Sequence, residues 1–224
     1  MNGLLTLLLF IGEIIAIYFL AHYLLNVSFH LMRKLFRSDS FIIWITAILY
    51  LPGTILHEIS HYFFALLLAM NPEEVSIFPQ IEKDHIRLGH VLYRRHESDV
   101  VRPIIIGIAP FFGAIGILWV IQSFHLFPGG VWWQTVLFGY LILTITANMF
   151  SSKQDLVYLI YIVPLFLFIG ALLYIFGIQI DTQLLIKVIN SLELFFKTLQ
   201  IPLLFSIIVH SILIAIIKII ISIT

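Results

Sequence analysis

Long apolar runs separated by short polar breaks dominate the chain. About 20 apolar residues are needed for a helix to cross the hydrocarbon core of a bilayer. Six runs suit that length: 4–25, 41–70, 104–124, 131–150, 156–178 and 202–221. Between the last two, residues 181–200 carry Lys187, Glu193 and Lys197 among Leu, Ile and Phe, a pattern that predicts an amphipathic helix lying on the membrane surface. The one sizeable polar stretch is 71–102. There, Val75-Ser76-Ile77-Phe78 and the run Ile86 to Tyr93 flank Lys83-Asp84-His85, which predicts two short strands around a polar turn. The expected fold is therefore an α-helical integral membrane protein with about six transmembrane helices and a short β-hairpin-like segment after the second. Residues 1–224 form a single membrane-embedded domain in this reading.

Composition points the same way. Of the 224 residues 61% are hydrophobic and 11% charged, whereas soluble domains carry roughly a quarter charged residues. So few charges cannot cover a water-facing surface, and the surplus apolar surface is expected to face lipid. Twelve basic and twelve acidic residues cancel, which leaves no basic stripe for nucleic acid. The absence of cysteine excludes disulfides and thiolate metal ligands. The first apolar run has no basic segment before it and is long, so it reads as a retained span. With six alternating spans, the segment 71–102, Lys153 and Lys218 fall on one side, and the 32–40 loop with Lys187 and Lys197 on the other. Seven basic residues against five then place both termini and the 71–102 segment in the cytoplasm.

The second run contains His57-Glu58-Ile59-Ser60-His61. On a helix, positions four apart share a face, so both imidazoles can hold one zinc ion with Glu58 beside them as a general base. Chance would produce such a motif in roughly one shuffled chain of this composition in a hundred. Three ionisable residues within five positions of a membrane run are also costly to bury, which favours chemistry over packing. The alternative is a His–Glu–His hydrogen-bonded cluster that ties helices together. A catalytic zinc ordinarily takes three protein ligands. The acidic residues near spans are Glu13, Asp155, Asp181 and Glu193. Asp155 is the first candidate, because the polar break after the fourth run falls on the same side as the end of the second. Its other possible role is a helix N-cap. Among the remaining histidines, His210 stands out as an ionisable group inside a span.

These residues resemble the site-2 protease family of intramembrane zinc metalloproteases. The resemblance rests on His57-Glu58-Ile59-Ser60-His61, on the 71–102 segment, on Gly107-Ile108-Ala109-Pro110-Phe111-Phe112-Gly113 and on Asn148 followed by Asp155. It covers about half of the chain, and no PDZ or other regulatory domain is expected beside it. It implies one zinc ion per chain held by His57, His61 and Asp155, Glu58 as general base, and Asn148 as a substrate or oxyanion contact. The implied substrate is a transmembrane protein, cut within or near its membrane segment, and the implied location is the cell membrane. Two positions depart from the family pattern: Ser151 stands where a proline is usual and Leu156 where a glycine is usual. Two other readings use the same motif. One is a membrane metalloprotease that draws a Glu ligand from a later helix, for which Glu193 is the available residue. The other is a metal-binding membrane protein or transporter without catalysis.

Overall fold

Lipid offers no partner to a backbone N–H or C=O, so apolar runs of this kind close their hydrogen bonds within helices. The computed structural model describes residues 3–76, 80–81, 86–87, 90–93, 99, 101–150, 162–177 and 181–223. Its helices are α1 (Gly3–Leu35), α2 (Asp39–Leu49), α3 (Leu51–Leu67), α4 (Val101–Ser123), α5 (Trp132–Asn148), α6 (Ile162–Ile175) and α7 (Thr182–Ile223). Helices α1, α4 and α7 are each long and apolar enough to cross a membrane, and α2 with α3 makes a fourth such segment, bent by 74°. At 17 residues α5 is shorter, and of α6 the described helical part is Ile162–Ile175. The start of the fifth expected run, 156–161, lies outside the described residues.

Between α3 and α4 lie four short strands, β1 (Pro72–Ser76), β2 (Gln80–Ile81), β3 (Ile86–Arg87) and β4 (His90–Tyr93). They pair antiparallel as β1 with β4 and β2 with β3, the second pair nested in sequence inside the first.

The second expected span is broken at Tyr50. Proline at position 52 has no N–H for the Ile48 carbonyl, so α2 stops there. The new helix α3 starts with Pro52 in its first turn, where an N–H would have no partner in any case. Tyr140 of α5 donates its hydroxyl to the Leu49 carbonyl at 2.8 Å and so satisfies one acceptor at the break.

Two expectations about the last helix change. The stretch 181–200 is helical, but it does not lie apart on the surface; it runs without interruption through Pro202 into the final span. Leu199 and Leu203 are fully buried in the core with Phe10, Ile14 and Leu118. Helix α7 also runs parallel to α1: Phe10 packs on Phe196 with ring centroids 4.7 Å apart, and at the far end Lys34 Nζ donates to the Ile221 carbonyl at 3.2 Å. The 32–40 loop and Lys218 therefore lie at the same end of the bundle. Six alternating spans would have separated them, so the seven-to-five count of basic residues does not describe this chain. That count took every apolar run as one straight crossing, which the bent α2–α3 pair is not.

Helix α3 sits between α4 and α5, antiparallel to the first and parallel to the second. Leu68 and His61 meet Arg102 and Ile106, while Leu49, Thr54 and His57 meet Tyr140 and Asn148. Within a bilayer such contacts depend on close approach through small residues. A Cβ at Gly53 would run into the Thr144 carbonyl of α5, and one at Gly113 into the Ser60 hydroxyl of α3. Gly116 faces open space. Overpacking of this kind costs about 1–3 kcal/mol. Gly53→Ala and Gly113→Ala are thus expected to melt roughly 3–10 °C lower in detergent, whereas Gly116→Ala melts at or above the wild-type temperature. Equal melting of all three variants would contradict the close helix contacts.

Candidate metal centre

The motif His57-Glu58-Ile59-Ser60-His61 occupies the middle of α3. His57 and Glu58 are buried, at 5% and 4% exposure, and His61 is half-buried. The ring of His57 donates from Nδ1 to the backbone carbonyl of Asn148, and that of His61 from Nδ1 to the carbonyl of Ile106, both at 2.8 Å. A carbonyl oxygen has no proton to give, so each Nδ1 carries one. In the neutral rings both Nε2 atoms are then the acceptor nitrogens. These two atoms face each other 3.1 Å apart, with the ring planes at 85°.

Two imidazole ligands on one tetrahedral zinc, each with a bond of about 2.0–2.1 Å, have nitrogens about 3.3 Å apart. The observed spacing suits a shared metal ion, and tying the outer ring nitrogen to a carbonyl is the usual way in which a metal-ligating histidine is oriented. His57 and His61 are thus the residues able to hold such an ion, with the buried Glu58 carboxyl on the same helix. The donor set matches the chemistry of zinc.

Both carbonyls are available for a structural reason. Asn148 ends α5, and the last carbonyls of a helix have no N–H partner inside it. Asn148 is fixed there by its side chain: Nδ2 donates to the Thr144 carbonyl at 2.8 Å, and Oδ1 accepts from the Thr54 hydroxyl at 3.4 Å. Neither Thr54 nor the carbonyl of Ile106 is visible as a site residue in the sequence motif. A backbone acceptor has no side-chain signature. Gly53 is another such residue, since its missing Cβ lets α5 come close enough for Asn148 to reach His57.

The other acidic candidates fall as follows. Asp155 lies outside the described residues, as does the polar break after Phe150. Glu193 is bound to Lys197 at 2.6 Å and lies beside Gly3 at the start of α1, away from the histidine pair. Glu13 is buried on α1. Among the described residues, no group of three His, Asp or Glu side chains is placed to hold a metal. His210 is fully buried elsewhere in α7: its Nδ1 lies 2.8 Å from the Ser206 carbonyl, and the Ser206 hydroxyl lies 2.7 Å from that of Thr146 on α5. These groups join α5 and α7.

Comparison of the chain with protein families, with curated proteins and with solved structures gives no match.

The geometry around Asn148 is open to a direct check. Asn148→Ala keeps the carbonyl that His57 uses but removes the two side-chain bonds that hold it. Zinc affinity, measured by chelator competition in detergent, is expected to fall about tenfold. Thr198→Val, which removes only a hydroxyl bond within α7, is expected to leave it unchanged. Equal affinity in the Asn148 variant would contradict this anchoring.

Proposed function

We propose that this chain is an intramembrane zinc metalloprotease of the site-2 protease type, a multi-pass protein of the cell membrane. The observation that carries the reading is the pair of facing Nε2 atoms of His57, which is buried, and His61, which is half-buried, each ring held from Nδ1 by a backbone carbonyl. Asp155 is the third ligand in this proposal. Asn148, whose carbonyl orients His57, stands seven residues before it, so the connection that leaves α5 begins at the pair. Zinc at such a site supplies Lewis acidity toward the scissile carbonyl and lowers the pKa of water to about 7.

The chain's own groups do the remaining work. The Glu58 carboxylate takes a proton from the attacking water, whose oxygen bonds to the peptide carbon. When the C–N bond breaks, Glu58 returns that proton to the leaving amine. The buried setting of Glu58 keeps bulk water from competing for it and strengthens its electrostatic effect. Asn148 Nδ2 has two N–H groups, and Thr144 takes one. The second is the proposed donor to the oxygen on which negative charge develops.

The substrate is a transmembrane segment. A helix hides its carbonyls in its own hydrogen bonds, so the segment must unwind locally before attack. The β1–β4 ladder follows the motif directly in sequence and supplies the kind of strand edge that holds an extended peptide.

Glu58→Gln is expected to retain zinc and to lose cleavage of single-span reporter proteins in proteoliposomes by about 10²–10⁴-fold. Full cleavage by that variant would remove Glu58 from the role of base. Asp155→Ala is expected to lose zinc while Glu193→Ala keeps it; the reverse result would move the third ligand to α7.

A further inference from the structure

The carbonyl that holds His61 belongs to Ile106, in the interior of α4. An interior carbonyl ordinarily accepts from the N–H four residues later. Here that residue is Pro110, which has no N–H and whose ring pushes against the carbonyl one turn before it. Both residues are buried, Ile106 at 1% exposure.

We infer that Pro110 is a positioning residue for the metal centre: by removing one helix hydrogen bond it frees the Ile106 carbonyl to fix the tautomer and orientation of His61. This rests on the reading of His57 and His61 as metal ligands and adds a residue that touches neither metal nor substrate.

The two ligands are then oriented by the same device in two forms. A helix end leaves the Asn148 carbonyl free for His57, and an internal proline leaves the Ile106 carbonyl free for His61. Without such an acceptor, the Nδ1 proton of His61 would be a buried donor with no partner, or would move to Nε2 and block the metal-facing lone pair. Gly113, three residues after Pro110, is in keeping with a segment whose backbone comes close to α3. Gly113 meets Ser60 one residue before His61.

Pro110→Ala restores an N–H opposite the Ile106 carbonyl and so sets the helix in competition with His61. In helix terms the substitution is favourable, since proline is the least suitable residue for a helix interior. The expected result is therefore a divergence. Zinc affinity of the full chain in detergent, by chelator competition, falls about ten- to a hundredfold, while the melting temperature of the zinc-free protein stays level or rises. Pro202→Ala, which makes the same change in α7, leaves zinc affinity at the wild-type value. Replacement of Pro110 by lactic acid, which has an ester oxygen in place of N–H, restores affinity to near that of wild type.

Wild-type affinity in Pro110→Ala overturns the inference. So does a parallel fall in affinity and zinc-free melting temperature, which would mark Pro110 as a packing residue. Absence of zinc from the wild-type protein would instead overturn the metal reading itself, so the two failures are distinguishable.

Discussion

A neutral imidazole has one donor and one acceptor nitrogen, and inside a membrane helix bundle each must find its counterpart in the protein or in a bound ion. The centre of this molecule follows from that constraint. His57 and His61 spend their donor nitrogens on the carbonyls of Asn148 and Ile106. Their acceptor nitrogens are thereby turned toward each other at 3.1 Å. Three helices are committed by these two bonds: α3 carries the rings, α5 ends against one of them and α4 opens its backbone toward the other.

The remainder of the bundle serves that meeting. Helix α3 starts afresh at Tyr50 because Pro52 stops α2, and this lets it lie between α4 and α5 at an angle of 74° to the preceding segment. Gly53 and Gly113 remove the side chains that would hold α5 and α4 away. Parallel packing of α1 with α7 closes the core, with Phe10, Leu118, Leu199 and Leu203 in contact. Proline and glycine, which weaken helices in water, here set where helices break, where they touch and which carbonyls are left for side chains.

Part of this was legible in the sequence. The apolar runs give α4 and the last part of α7 nearly to their ends, and the start of α1, which continues to Leu35 beyond the expected 4–25 run, because length and hydropathy are strong signals for membrane helices. The His57–Glu58–His61 spacing gives the facing rings, because a helix repeats every 3.6 residues. The direction of α7 was not legible. Counting alternating spans takes each apolar run as one straight crossing; Pro52-Gly53 marks a kink before His57, but the continuous helix through Pro202 has no hydropathy signature. The carbonyls that orient the rings were also hidden, since any residue supplies one. Pro110, four positions after Ile106 in the sequence, is the one mark of them that could have been read.

The metal content of the purified protein tests the central claim most directly. The wild-type chain, isolated in detergent and measured by elemental analysis, is predicted to carry about one zinc ion per chain, and His57→Ala and His61→Ala to carry almost none. A wild-type protein without zinc, or variants that retain it in full, would contradict the account and leave the two rings as a hydrogen-bonded cluster within the bundle.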